Sequence, residues 1–341
     1  MSFAKLFLRR LALSLFLSMV AFVRLAYADS LVQQSNEQAQ VILNQVQDAA
    51  LKLNYRGLFA YQEGGVMQSL RIAHRFDGQN QQERLIELDD SPREYIRFND
   101  VVQCLMPEQK VVIVESANSR RFPGFAAGDV QAALKNYTLW LDPKPHRVAG
   151  RVCQRYEVKP RDDFRRAFTL CVDKETNLLL KAQAINTEGR VIEQVSFSEV
   201  VIGGLIDDQA FQPSWSTEGW QVVERIQEPI DLSALGWIIQ PAAGFYKQAQ
   251  MQRMLSPDDW VQQVVLSDGL ALMSIFIEPY RSSLSDPSGK PSGQLGSVNM
   301  LSKRIDNYWV TVLGEVPPTT LKEILNAIQY QPVTIQSESK R

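Results

Sequence analysis

From Tyr55 to Glu115 the sequence repeats one pattern six times: a short run alternating large apolar with polar residues, closed by turn chemistry. The runs are Tyr55–Gln62, Gln68–Phe76, Arg84–Leu88, Arg93–Phe98, Val101–Leu105 and Lys110–Glu115. Gly64-Gly65, Asp77-Gly78, Asp89-Asp90-Ser91-Pro92 and Asn99-Asp100 punctuate them. A period of two describes a strand with one buried face, and connections this short join antiparallel neighbours. The chain is thereby committed to a strongly curved, largely antiparallel sheet. Further runs near 147–159, 166–173, 178–186 and 190–202 extend it.

Residues 31–53 carry Val32, Ala39, Ile42, Val46, Ala49 and Leu53 at helical spacing and predict one amphipathic helix. A loop at Ser119–Gly128 leads to a short helix near Asp129–Asn136. Two helices are then available to cover the concave face. Small, acidic and turn residues from Gly203-Gly204 to Pro213 mark a boundary. Beyond it, Trp220–Ile226, Trp260–Ser267, Leu270–Pro279, Asn299–Ile305 and Tyr308–Leu313 read as strands. A helix at Thr319–Ile328 follows Pro317-Pro318, where proline costs least. Ser282–Ser297, with two Pro, three Gly and six Ser, reads as a mobile surface loop.

The first 28 residues differ from the rest. Lys5, Arg9 and Arg10 precede an apolar run from Leu11 to Val23, and Ala26-Tyr27-Ala28 offers a small-x-small cleavage pattern. This predicts a secretory signal peptide over 1–28, because the run is shorter than the about 20 residues that span a bilayer. Its removal takes four positive charges and no negative ones from a formal charge of -2, leaving -6. The expectation is a soluble, mildly acidic exported protein.

Chemistry is sparse. Lys plus Arg number 36 against 38 for Asp plus Glu, so there is no electrostatic footprint for nucleic acid. Two histidines and three cysteines leave almost nothing from which to build a metal site. No nucleophile elbow, zinc-protease, phosphate-loop or dinucleotide motif occurs. His74 shares strand parity with Leu70, Ile72 and Phe76 and reads as a packed core histidine. His146 reads as a loop residue in the proline-flanked turn Asp142–Pro145. Asp162-Asp163 and Asp207-Asp208 read as solvated turns, and Arg161 with Arg165-Arg166 as a charged hairpin tip. No enzyme, cofactor or metal is expected.

Export permits disulfides. Setting Cys153 opposite Cys171 places Val152 against Val172, Gln154 against Leu170 and Tyr156 against Phe168. That register gathers Val152, Tyr156, Val158, Phe168, Leu170 and Val172 on one face and puts both cysteines on the more polar one. A bridge, or two free thiols in a register off by one or two, both fit the pattern. Cys104 is left as a small buried hydrophobe.

What remains is binding. Phe59, Tyr61, Leu70, Ile72, Phe76, Ile86, Leu88, Ile96 and Phe98 enrich the first sheet in large apolar residues. Two short helices cannot fill a broadly curved sheet, and an unfilled apolar concavity is a ligand site; a solid core fits the same pattern. Arg120-Arg121-Phe122-Pro123-Gly124-Phe125 pairs cations with aromatics beside that sheet, as a lid over acyl chains and anionic headgroups would.

Leu53-Asn54-Tyr55-Arg56-Gly57, Ser69–Arg75, Glu83-Arg84-Leu85, Pro92-Arg93-Glu94 with Arg97, Asp173–Thr176 before Leu178-Leu179-Leu180, Ser267–Leu270 to Ser274–Ile277, and Val312–Pro317 resemble, in order, the periplasmic sigma-E regulatory family RseB/MucB. The resemblance implies an α+β fold in two domains: a curved antiparallel half-barrel sheet covered by helices, similar to the lipoprotein carriers LolA and LolB, and a smaller α+β C-terminal domain. The expected limits are 29–203 for the first, 204–219 for a linker, 220–331 for the second and 332–341 for a polar tail. It implies a protein that binds the periplasmic domain of a single-span anti-sigma factor, shields it from regulated proteolysis, and is released by lipopolysaccharide or mislocalised lipoprotein. The apolar strand residues, with Phe122 and Phe125, would line the acyl site. Trp309 and the stretch Gly314, Glu315, Val316 and Pro317 would supply the anti-sigma contact. Self-association stays open. A lipid or lipoprotein carrier is the alternative, and it leaves the second domain without a task. Asp89-Asp90 departs from the family's Asp-Gly, so that turn must hold a non-glycine residue.

Overall fold

The computed structural model describes residues 30–116, 128–256, 259–280 and 292–332. The expected signal peptide, Phe122 and Phe125 of the expected lid, and most of the polar tail lie outside the described residues.

The first sheet begins with an edge strand, β1 (Val32–Gln33), and the helix α1 (Asn36–Lys52) follows. The helix starts later than its apolar spacing predicts because Ser35 caps it. Ser35 Oγ accepts from Gln38 N at 3.3 Å and Gln38 Oε1 accepts from Ser35 N at 3.2 Å, a reciprocal capping box. Then come β2 (Tyr55–Glu63), β3 (Val66–Phe76), β4 (Gln81–Glu87), β5 (Glu94–Phe98), β6 (Val101–Met106) and β7 (Val111–Ser116). After α2 (Val130–Asn136) the chain returns as β8 (Tyr137–Val148), β9 (Arg151–Pro160), β10 (Ala167–Asp173), β11 (Leu179–Ile185) and β12 (Val191–Ile202). With β13 (Gln221–Glu224) these form one open thirteen-stranded sheet in the order β1-β8-β9-β10-β11-β12-β2-β3-β4-β5-β6-β7-β13.

Two details differ from the sequence pattern. The run near 147–159 is not one strand: it turns at Ala149-Gly150, where φ is 50° and 74° as a two-residue hairpin turn requires. The supposed turn Asp142–Pro145 lies within β8, where the register against β9 shifts because proline lacks a donor.

Register makes one face of this sheet continuous. Leu139 lies opposite Val158 and Val158 opposite Phe168, while Tyr156, Leu170, Ala182, Val195 and Tyr61 succeed one another across the strands. Phe197, Phe59 and Leu70 follow in the adjoining row. Ala39, Leu43 and Val46 of α1 and Val130, Ala133 and Leu134 of α2 pack with Leu139, Val158, Leu170, Val172 and Leu179. Tyr55, Phe59, Leu70 and Ile72 pack with Leu178, Leu180, Phe197, Cys153 and Cys171. His74 sits here, fully buried and stacked on Tyr55 at 4.7 Å. Its Nδ1 donates to Leu53 O at 2.7 Å, so its Nε2 accepts from Gln81 Nε2 at 2.7 Å.

Cys153 and Cys171 form a disulfide with their Cα atoms 5.5 Å apart. The register is shifted by two from the expected one: Cys153 faces Asp173 and Cys171 faces Arg155, leaving the cysteines diagonal. A shift of two keeps every side chain on its face, so alternation alone does not resolve it. Both cysteines are buried, on the face that Arg155 and Asp173 share in register.

The second sheet has seven strands: β14 (Gln227–Pro229), β16 (Tyr246–Ser256), β17 (Asp259–Ser267), β18 (Leu272–Pro279), β19 (Ser292–Leu295), β20 (Val298–Ile305) and β21 (Tyr308–Gly314). Their order is β14-β16-β17-β18-β21-β20-β19. The helix α3 (Pro318–Ala327) packs Leu321, Ile324 and Leu325 on Val264, Leu266, Ile275, Ile277, Val310 and Val312. A two-stranded pair, β15 (Trp237–Ile238) with β22 (Gln329–Tyr330), closes one end. The polar run Tyr246–Ser256 hides a strand, and part of the expected Ser282–Ser297 loop is β19.

The connection between the sheets is tied to the first sheet at Asp208, Phe211 and Ser214. Arg75 pairs with Asp208 at 2.7 Å, and Ser214 N donates to Glu94 Oε2 at 3.0 Å. Arg75 also lies 4.8 Å over the Phe211 ring. Gln221–Glu224, expected in the second unit, instead pairs in parallel with β7 of the first sheet. Gln227–Pro229 then joins the second.

Candidate functional site

A cleft of about 340 Å³ opens where the two sheets meet. One wall is Glu115 at the end of β7 and Arg225 just past β13. The floor is one face of the second sheet. Register aligns Met251 with Gln263, and Val265 with Ser274 and Leu313, so these side chains share that face. Gln227, Arg253, Leu272, Val298, Gly314 and Glu315 complete the lining.

The polar groups are tied together. Arg253 Nη1 donates to Gln263 Oε1 at 3.2 Å, and Gln263 Nε2 donates to Ser274 Oγ at 3.0 Å. Glu115 Oε2 lies 3.7 Å from Arg253 and 3.8 Å from Arg225, one carboxylate between two guanidinium groups. An apolar floor with a few fixed polar groups beside a sheet edge suits an extended peptide or a small amphipathic ligand. Among the described residues no group of three or more His, Cys, Asp or Glu is placed to hold a metal ion.

Glu315 also reaches the first sheet electrostatically. Burial, then the charges of Glu193, Glu63 and Glu315, push the Tyr61 phenol well above its ordinary value. Burial pulls the Arg166 guanidinium down, against the opposing pull of Glu315 and Glu193. A second, more polar cleft of about 490 Å³ lies beside these groups, lined by Gly64, Arg166, Asn186, Arg190, Asn299 and Pro317 among others.

The apolar residues expected to line one acyl site divide between two faces. Phe59, Leu70 and Ile72 are buried core, and Tyr61 and Phe76 are half-buried on the same face. Ile86, Ile96 and Phe98 point the other way, because Ile72 pairs with Leu85, and Arg84 with Ile96. Leu88 and Phe98 are 42% and 50% exposed. The expected single lining is therefore corrected to two faces, one packed in the core and one opposite it. Of the expected partner residues, Gly314 and Glu315 line the cleft, and Pro317 is buried beside the second cleft. Val316 is fully buried in the core, so its side chain presents nothing to a partner. Trp309 is half-buried at the far end of β21, about 16 Å from Gly314 at strand rise. Arg225, Arg253 and Gln263 gave no signal in the sequence, since nothing local marks them as neighbours of Glu115.

Residues 38–215 match the MucB/RseB N-terminal domain and residues 231–329 the MucB/RseB C-terminal domain. The chain belongs to the MucB/RseB family. It is 27% identical over 295 residues to the sigma factor AlgU regulatory protein MucB of Pseudomonas aeruginosa, covering 84% of this chain and 89% of that one. It is 24% identical over 302 residues to the sigma-E factor regulatory protein RseB of Haemophilus influenzae, covering 86% and 91%. The MucA/MucB complex structure of Pseudomonas aeruginosa superposes with a TM-score of 0.68 at 27% identity, covering 87% of this chain and 100% of the matched one. Gly314 and Glu315 therefore lie on a MucB/RseB-family scaffold, at a cleft lined from both sides of the chain's connection.

Proposed function

We propose that this chain is a periplasmic regulator of an envelope-stress sigma factor. It binds the periplasmic region of a single-span anti-sigma factor and withholds that region from regulated proteolysis. The observation that carries the reading is the ordered match of both family models along the chain, with a relative of the same fold solved as a complex with MucA. The cleft at Glu115, Gln263 and Gly314 supports it, since an apolar floor between polar walls suits a peptide better than a reaction.

Release by lipopolysaccharide or a mislocalised lipoprotein is the second half of the proposal. Acyl chains would enter the concave face at Phe59, Leu70 and Ile72. These side chains are packed with Phe197, Leu178 and Leu180, so entry requires parting that core rather than filling a ready cavity. Lipid and partner then compete through two arrangements of one molecule, and a coupling of about 1–3 kcal/mol makes a useful switch.

The test is calorimetric titration of residues 29–341 with the periplasmic region of the host's anti-sigma factor, with and without lipopolysaccharide. Tight binding that lipid weakens supports both halves. Absence of partner binding with lipid still bound overturns the regulator in favour of a carrier.

A further inference from the structure

The tip between β9 and β10 is where the first sheet enters the second unit. Phe164 packs against the second core, and its carbonyl accepts from Thr320 Oγ1 at 2.9 Å. The Arg165 side chain has no solvent exposure; its Nε lies 2.9 Å from Asp268 Oδ2, and it also pairs with Asp162. It donates to Ala243 O at 2.6 Å and stacks 4.8 Å over Phe245. Arg166 donates to Ser297 O at 2.6 Å and to Val316 O at 3.4 Å. Asn136 Nδ2 reaches Gly244 O and Asp268 O, each at 3.0 Å. Glu63 Oε1 accepts from Ser297 N and Oγ, both at 2.9 Å.

Two consecutive buried arginines are costly to desolvate, and only matched partners make their burial tolerable. Here every hydrogen-bond and ion-pair partner named for the two arginines, except Asp162, belongs to the second unit. We infer that the Asp162–Arg166 tip is a latch that fixes the angle between the sheets, and through it the width of the cleft between Glu115 and Gln263. None of the latch residues lines that cleft. The disulfide ties the other end of the same hairpin, so the hairpin moves as one lever. The covalent link between the sheets runs through β13 and β14, a narrow ribbon paired with one sheet and then the other. The claim about partner affinity rests on the proposed function; the claim about sheet angle does not.

The test uses the mature chain carrying spin labels at Val41→Cys on α1 and Lys322→Cys on α3, both exposed, in a Cys104→Ser background. The variant Arg165→Met with Asp268→Asn removes the buried ion pair without stranding a buried charge, since the Asp162 side chain is 34% exposed, and Asn can still accept the Leu270 and Ala271 N–H groups that Asp268 holds. One narrow distance distribution in the parent and a broad or doubled one in the variant are expected, with affinity for the anti-sigma periplasmic region weakened about tenfold. An unchanged distribution overturns the latch. A broadened distribution with unchanged affinity keeps the latch and overturns its control of the partner site. If the parent binds no partner, the proposed function fails while the distances still decide the latch. Arg166→Met, read by the same distances, serves if the double variant does not fold.

Discussion

Tyr137 Oη donates to Asp268 Oδ2 at 2.8 Å, joining the first strand after α2 to a carboxylate in the second unit that is sealed from solvent. Burial, and then the Asp268 charge, raise the Tyr137 phenol well above its ordinary value, so the hydroxyl stays a donor. Removing it leaves Asp268 with its backbone donors and Arg165 but one bond poorer. Tyr137→Phe is expected to lower stability by about 1.5–3 kcal/mol, the range for a buried bond to a charged group. Urea unfolding checks it, and a loss under about 0.5 kcal/mol would mean that water replaces the hydroxyl.

The disulfide joins Cys153 to Cys171, at a sequence separation of 18. A cross-link of that span restricts the unfolded chain by about 3 kcal/mol. Cys153→Ala with Cys171→Ala is expected to lower stability by about 2–4 kcal/mol, and reductant should lower the parent's unfolding midpoint but not the variant's.

How much of this was legible follows from what each signal depends on. The six strands of Tyr55–Glu115 were readable because alternation and turn residues are local. The faces of Ile72 and Ile86 were not, because the Asp77–Asn80 turn sets Phe76 against Gln81 and one residue of offset turns a strand over. Arg165 and Arg166 look like any solvated hairpin tip until Asp268 and Ser297, more than a hundred residues away, are brought beside them. Tyr246–Ser256 escaped because its polar, glutamine-rich run carries little apolar alternation. The cleft escaped for the same reason as the latch: its walls are distant in sequence.

Asp90, which stands where the resemblance implies the glycine of an Asp-Gly turn, holds a backbone φ of 49°. Aspartate tolerates that region better than most residues, at a cost of about 1 kcal/mol. Asp90→Gly is expected to raise stability by about 0.5–1 kcal/mol, less the entropy that glycine adds to the unfolded chain. A fall in thermal midpoint would show that the entropy outweighs the strain.

Asp173 gives a pH dependence. Burial acts to raise its pKa, but hydrogen bonds from Arg151 and Thr176 outweigh it and hold the carboxyl below its ordinary value. Arg151 Nε and Nη2 lie 2.8 and 3.0 Å from its two oxygens. A depressed native pKa means stability that is complete above the unfolded value, about 3.9, and lost as pH falls through the native one. Asp173→Asn should therefore destabilise the protein at pH 7 and narrow the difference from the parent below about pH 4. Equal differences at both pH values would assign the effect to packing.

Ser274 sits on the cleft floor between Val265 and Leu313 in register, and its hydroxyl accepts from Gln263. A tryptophan there would fill the space against Met251 and Glu115 that a partner's side chain needs. Ser274→Trp is expected to weaken binding of the anti-sigma periplasmic region at least tenfold, about 1.4 kcal/mol, because an anchor excluded from its pocket loses most of its contribution. Thermal unfolding should shift little, since the added ring faces the cleft and not the core under α3. Lipid binding at Phe59 and Leu70 should also persist, because those residues lie on the first sheet and not on this floor. Full partner affinity in Ser274→Trp, with the protein folded, would move the contact away from the cleft and toward the far end of β21 at Trp309.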